Sequence, residues 1–105
     1  MKKIAIVAAT LLASGLTHAV TEAEAMNIAQ KNGCLACHQL DKKVVGPAWK
    51  DVGKKYGDQA DAEAMLVTKV KKGSKGVWGP VPMPPNATVK DADVRTLVQF
   101  VLTLK

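Results

Sequence analysis

Residues 33–38 read Gly33-Cys34-Leu35-Ala36-Cys37-His38, and the last five of them form the pattern C-x-x-C-H. This pattern is typical of the covalent attachment of a c-type haem. The thiols of Cys34 and Cys37 would add across the two vinyl groups of the porphyrin, and the imidazole of His38 would bind the iron as its proximal ligand. One covalent haem c is therefore the predicted cofactor, and only the other side of the iron is left open.

Three other kinds of site use two cysteines at this spacing. A thioredoxin-like motif expects a preceding strand and a βαβ context, whereas the residues before Cys34 have a helical pattern. A structural zinc site needs four ligands, and outside the motif the chain has no third cysteine and one other histidine, His18. A disulfide between Cys34 and Cys37 would close a very short loop and leave His38 unexplained. Haem attachment is the interpretation that uses all three side chains.

The first 19 residues have the three parts of a secretory signal peptide. Lys2 and Lys3 are basic, residues 4–13 are apolar, and small residues flank His18 in Thr17-His18-Ala19, as a cleavage site requires. The apolar run is shorter than the roughly 20 residues that span a bilayer, so we expect cleavage after Ala19 and no remaining membrane anchor. Residues 20–105 would be a single domain in the periplasm.

The charge balance of the chain is basic. The formal net charge is +6, and removal of residues 1–19, which contain Lys2 and Lys3 but no acidic residue, leaves +4. Lysines scattered among helices without interleaved aromatic residues do not predict nucleic-acid binding. A positive surface favours redox partners with acidic docking surfaces, reached by electrostatic steering, although most of the lysines are expected to be only solvated. The mature chain is expected to be a monomer.

Caps and apolar spacing predict four short helices, at about residues 21–32, 47–56, 61–72 and 91–104. Thr21 and Glu24 have the spacing of a capping box, and Gly33 would end the first helix. Pro47 is suited to the first turn of the second helix. A chain this short buries a modest fraction of its surface, so the haem would form a large part of the core.

The segment 73–89 contains three glycines and four prolines, which predict a stiff loop rather than a helix or a strand. Met83 lies in this loop between Pro82 and Pro84. Met26 and Met65 lie on predicted helix faces, where a methionine usually fills the core. Because prolines reduce the backbone entropy that is lost when a thioether is held on a metal, Met83 is the predicted second axial ligand.

With these features the chain resembles the small bacterial class I cytochromes c of the c-551 and c-552 type. The resemblance covers residues 21–105 and rests on four stretches: residues 33–38, Val45-Gly46-Pro47-Ala48, residues 76–86 and a C-terminal helix. It implies an all-α class I cytochrome c fold, in which four short helices pack around one covalently attached haem.

The resemblance also implies roles for single residues beyond the two thioethers and the two iron ligands. The carbonyl of Pro47 would accept a hydrogen bond from the proximal imidazole, which sets the orientation of the ring. Trp78 and Lys69 would bind a haem propionate, and Asn86 would brace the loop that carries Met83.

The implied function is the transport of single electrons between respiratory redox proteins in the periplasm, for example to a nitrite reductase, an oxidase or a peroxidase. An iron with both axial positions filled has no open site for a substrate, so the chain is not expected to be an enzyme. The alternative is a haem-based ligand sensor or a peroxidase-like protein, which would require a loop that swings Met83 away from the iron.

Trp49 and Lys90 are among the positions that depart from the family pattern. Trp49 stands where a smaller aromatic or aliphatic residue is common, and we expect it in the core or the haem wall without a redox role. Lys90 stands at a serine N-cap position of the last helix, so Asp91 or Asp93 would have to satisfy the first-turn amides.

Overall fold

The computed structural model describes residues 19–105, so the predicted signal peptide falls, except for Ala19, outside the described residues. Within residues 19–105 the chain forms four α-helices: α1 (Glu22–Lys31), α2 (Trp49–Tyr56), α3 (Ala62–Lys72) and α4 (Asp91–Thr103). A 3-10 turn, Cys34–Ala36, follows α1, and this part of the chain contains two isolated bridges but no strand. The predicted all-α architecture is confirmed. No helix among these residues has the length and apolar character needed to cross a bilayer.

Helix α1 begins and ends close to its predicted limits. The Thr21 hydroxyl accepts a hydrogen bond from the Glu24 amide at 3.2 Å and so satisfies one of the free first-turn donors. At the other end the Asn32 side-chain amide donates to the Ile28 carbonyl at 2.8 Å, and Gly33 follows in the left-handed region with φ of 73°. The chain therefore turns away from the helix directly before Cys34.

Helix α2 begins at Trp49, and the prediction that Pro47 lies in its first turn is wrong. The first two amides of this helix, those of Trp49 and Lys50, each donate at 2.9 Å to a carbonyl, of Gln39 and Leu40 respectively. These carbonyls satisfy donors that otherwise need a side-chain cap. Helix α2 is thus fastened to the segment that directly follows the C-x-x-C-H motif, and Pro47 is left in the connection.

Helix α4 contacts each of the other three helices and forms the centre of the core. It contributes five buried residues: Val94, Leu97, Val98, Phe100 and Val101. On α1 the buried residues Ala25 and Ala29 are small and 0 % exposed. On α2 a Cβ atom at Gly53 would collide with the carbonyl oxygens of Val101 and Leu104, so the backbones of α2 and α4 approach each other at a glycine.

The N-terminus of α4 has no side-chain cap. Lys90 occupies the N-cap position without a capping hydrogen bond. The Asp91 carboxylate binds the Lys71 ammonium at 2.8 Å. Within residues 19–105 neither Asp91 nor Asp93 accepts a hydrogen bond from a first-turn amide, so the expectation that one of them would do so is wrong, and the Asp91 carboxylate binds Lys71 instead.

Candidate haem site

One cleft brings together the residues that the sequence predicts as haem ligands. Its lining includes Cys34, Cys37, His38 and Met83. Many of the other residues that line the cleft are apolar residues of the core, among them Val52, Leu66, Val94, Leu97, Val98 and Val101. Met26 and Met65 pack against the core and are not among the residues that line the cleft. Of the methionines in residues 19–105, Met83 alone faces this space.

The two cysteines stand at the ends of one tight turn. The amides of Cys37 and His38 both donate to the Cys34 carbonyl, at 3.2 and 3.0 Å. Because residues three apart in a 3-10 turn share a face, both thiols lie on the cleft side. Burial raises the pKa of the Cys34 thiol, a backbone hydrogen bond lowers it by less, and the charge of Cys37 adds a smaller increase.

His38 is buried, with 9 % of its surface exposed, and its ring is oriented by a hydrogen bond. Its Nδ1 lies 2.9 Å from the carbonyl oxygen of Pro47. A carbonyl oxygen only accepts hydrogen bonds, so Nδ1 must carry the proton. The second ring nitrogen, Nε2, is then left with a free lone pair for a metal.

Two further residues confine the imidazole. A Cβ atom at Gly46 would lie 2.7 Å from Cε1 of His38, so only a glycine fits against the ring at this position. Trp49 stacks with the ring at a centroid distance of 5.8 Å and an angle of 23°. Trp49 is buried and lines the cleft, as expected for a residue of the core or the haem wall. The contact of Gly46 with the ring was not predicted, although Gly46 directly precedes Pro47 in the recognised motif.

The loop that carries Met83 is closed at its base by backbone hydrogen bonds. The amide of Ser74 donates to the Met83 carbonyl at 3.1 Å, and the Met83 amide donates to the Ser74 carbonyl at 2.8 Å. Asn86 adds a second closure, since its backbone and side-chain amides both donate to the Val70 carbonyl, at 2.9 and 3.2 Å. The same side chain also donates to the Pro84 carbonyl at 3.1 Å. These bonds fix the two sides of the loop next to the end of α3.

A corner of the cleft combines aromatic rings with lysines. Trp78 meets Tyr56 edge to face at 6.5 Å. The ammonium of Lys69 lies 5.8 Å from the Tyr56 ring centre, and that of Lys55 lies 5.7 Å from both rings. These distances allow cation–π attraction. Lys69, Tyr56 and Trp78 line the cleft. The places of Tyr56 and Lys55 in this corner were not predicted, because nothing in their spacing shows that the end of α2 meets the loop.

The mouth of the cleft is apolar and exposed. Val45, Val77 and Val81 line it and are 48 %, 46 % and 58 % exposed. Large exposed apolar groups that occur together indicate a contact surface.

The residues present fit a covalently attached haem. Two thiols on one turn suit the two vinyl groups. An imidazole nitrogen and a thioether sulfur are both ligands that haem iron takes in proteins. Apolar walls suit the porphyrin face, and the corner with Lys69 suits the negatively charged propionates.

Comparisons with known proteins agree with this chemistry. The sequence profile of the cytochrome c family, described as "Cytochrome c", matches residues 22–105. The chain belongs to the cytochrome c family. It is 53 % identical over 97 residues to cytochrome c-551 of Pseudomonas aeruginosa, covering 91 % of this chain and 88 % of that one. It is 50 % identical over 98 residues to cytochrome c-552 of Nitrosomonas europaea, covering 93 % and 90 % of the two chains.

The crystal structure of wild-type Nitrosomonas europaea cytochrome c552 is similar to this cytochrome c. The TM-score is 0.74 at 55 % identity, over 76 % of this chain and 99 % of that chain. The predicted class I cytochrome c fold of the c-551 and c-552 type is therefore confirmed. As a member of this family the protein has covalent haem c as its cofactor, and it is an electron-transfer protein and not an enzyme.

Proposed function

We propose that this cytochrome c carries single electrons between respiratory redox proteins in the periplasm, with His38 and Met83 as the two axial ligands of its iron. The observation that carries the proposal is the placement of both side chains on one cleft, each on a segment closed by hydrogen bonds. Two filled axial positions leave no site for a substrate. Residues 1–19 would direct export and be removed after Ala19.

The other residues of the site would attach and orient the cofactor. Cys34 and Cys37 would form the thioethers, which is supported by their common face on the 3-10 turn. Pro47 would fix the imidazole through the hydrogen bond from Nδ1. Trp78 and Lys69, which line the same corner of the cleft, would bind a propionate.

Asn86 would brace the Met83 loop, and its three hydrogen bonds to Val70 and Pro84 support that role. When bound, the haem supplies a reversible ferric and ferrous couple, and burial with thioether ligation favours the reduced state. His38 and Met83 lie on segments closed by hydrogen bonds, so the chain would rearrange little when the haem gains or loses an electron.

Partners would dock at the mouth of the cleft. The exposed valines 45, 77 and 81 offer a small apolar contact, and the net positive charge of the chain favours partners with acidic surfaces. A small interface of this kind suits a short-lived encounter. The physiological partners would be respiratory enzymes such as a nitrite reductase, an oxidase or a peroxidase.

The ligation is tested by replacing Met83 with alanine in the holoprotein. Met83→Ala should abolish the ferric absorption band of thioether ligation, lower the reduction potential and open the ferrous iron to carbon monoxide. Met65→Ala is the matched control, because Met65 packs against the core outside the cleft, and it should retain the band. A ferrous spectrum of the unaltered protein that shifts readily with carbon monoxide would contradict the proposal and favour the ligand sensor.

A further inference from the structure

Lys71, in the last turn of α3, reaches across to the segment that follows Met83. Its ammonium donates to the carbonyls of Ala87, at 3.1 Å, and of Val89, and it binds the Asp91 carboxylate at 2.8 Å. An ammonium has three N–H donors, so all of them are used here. The Lys71 side chain is only 23 % exposed. This is an ordered contact between three parts of the chain rather than a solvated surface charge.

The contacts of Lys71 continue a row of bonds along the end of α3. The carbonyl of Val70, the preceding residue, accepts from Asn86, and Ser74 pairs with Met83. The row therefore fixes positions 83, 86, 87, 89 and 91 against one short stretch, 70–74. No hydrogen bond orients the Met83 side chain itself within the described residues, so the position of its sulfur depends on this backbone closure.

We propose that Lys71 is a positioning residue for Met83, acting through the backbone of residues 87–91 to keep the loop closed on the iron. This inference rests on the proposed ligation by Met83. Removal of Lys71 would leave the Ser74 and Asn86 closures in place but would free the segment between the loop and α4. The loop would then open more often, and a ligand from solution would reach the iron more quickly.

The two carbonyl contacts should matter more than the ion pair. Asp91 is 78 % exposed, and an exposed ion pair contributes little because water screens it. A hydrogen bond from a charged donor to a carbonyl is stronger than a neutral one. Lys71→Met keeps most of the apolar stem of the side chain while it removes all three bonds.

The test compares how fast imidazole displaces the thioether from ferric holoprotein in Lys71→Met and in Lys72→Met. Lys72 is the next residue of α3, is exposed, and has no ion pair or hydrogen bond from its side chain within residues 19–105. Loss of charged hydrogen bonds should raise the rate in Lys71→Met by about tenfold or more. Lys72→Met should stay within about twofold of the unaltered protein, as is usual for an exposed substitution.

A second variant, Phe100→Leu, tests whether Lys71→Met acts only by lowering the overall stability of the protein. Phe100→Leu removes apolar area from the core without touching the cleft lining, so it lowers global stability alone. At an equal loss of melting temperature, imidazole must displace the thioether faster in Lys71→Met than in Phe100→Leu. Lys71→Arg keeps a cation, so its displacement rate should return most of the way to that of the unaltered protein. If Lys71→Met does not assemble, Asp91→Asn should still raise the rate, by about twofold to threefold.

Equal imidazole rates in Lys71→Met and Lys72→Met, with the thioether band present in the unaltered protein, would overturn the role of Lys71 alone. A rate in Lys71→Met that merely equals that of Phe100→Leu would do the same. Absence of the thioether band from the unaltered protein would overturn the ligation by Met83, and this inference with it.

Discussion

His38 and Met83 line one cleft, but the chain holds them in different ways. The His38 ring is confined through its own atoms, by the Pro47 carbonyl, the stacked Trp49 and the backbone of Gly46. Met83 is confined through its backbone, which pairs with Ser74 at the base of a loop. The His38 imidazole itself is buried, whereas the Met83 loop exposes Val77 and Val81.

This difference separates orientation from access. The side-chain contacts around His38 fix which way the ring faces, a property that a local substitution changes directly. The backbone closure around Met83 sets how often the loop opens, a property that residues far from the sulfur can change. Substitutions around His38 should therefore change the orientation of the ring, whereas substitutions around the Met83 loop should change how often the loop opens. The two kinds differ in this way even where they lower the free energy of unfolding by similar amounts.

Loss of the cofactor should break both sides at once and have the largest effect. Val52, Leu66 and Val94 belong to the core and also line the cleft, so without haem they face an open space. We expect the double variant Cys34→Ala, Cys37→Ala, purified free of haem, to lose the whole folding stability, which is about 5–15 kcal/mol for a typical domain. Circular dichroism on heating checks this, and a cooperative, native-like melt of the haem-free chain would contradict it.

Two glycine substitutions should sharpen the comparison at intermediate cost. Gly46→Ala places a Cβ atom 2.7 Å from the imidazole and should cost about 1–3 kcal/mol through overpacking. Gly76→Ala meets nothing within 4 Å, but φ is +88°, and the strain should cost about 1 kcal/mol. Each kcal/mol lowers the melting temperature of a domain this size by roughly 4–8 °C.

Nuclear magnetic resonance spectra of these two variants distinguish a changed orientation of the His38 ring from backbone strain at Gly76. Gly46→Ala should shift the resonances of the His38 ring in the holoprotein, whereas Gly76→Ala should leave them in place. Unchanged His38 resonances in Gly46→Ala would show that the ring does not depend on this contact.

Acid should weaken the Met83 side through Asp91, with the smallest effect. The hydrogen bond and charge of Lys71, and less so the charge of Arg95, lower the pKa of the Asp91 carboxyl. Because the folded pKa is lowered, the stabilisation is present above the ordinary aspartate pKa of about 3.9 and is lost as the pH falls through the folded pKa. The difference in melting temperature between the unaltered protein and Asp91→Asn should therefore shrink below pH ~3.9. A difference that stays constant down to lower pH would contradict this linkage.

Much of the fold could be predicted because its signals are local. The cap at Thr21, the glycine after α1 and the apolar spacing of α4 each lie within a few residues, and the structure agrees with them. The predicted start of α2 was wrong because the first amides of this helix donate to the carbonyls of residues 39 and 40. No local pattern shows this pairing between separate segments.

The residues of the site also divide into those with a local sequence signal and those whose contacts depend on distant segments. The residue types at Cys34, Cys37, His38 and Met83 carry their chemistry in the sequence. The contacts of Gly46, Tyr56 and Lys71 depend on which segments meet in space. Asp91 or Asp93 was expected to satisfy the first amides of α4, but the Asp91 carboxylate binds the ammonium of Lys71, 20 positions earlier, and no pattern of neighbouring residues shows this pairing.

The central place of α4 has a consequence for assembly. This helix contacts the other three and follows them along the chain. With the export proposed for residues 1–19, α1, α2 and α3 cross the membrane before their common partner. The exported chain should therefore remain open around Cys34 and Cys37 until α4 follows, which leaves time for a large planar group to enter before the core closes over it.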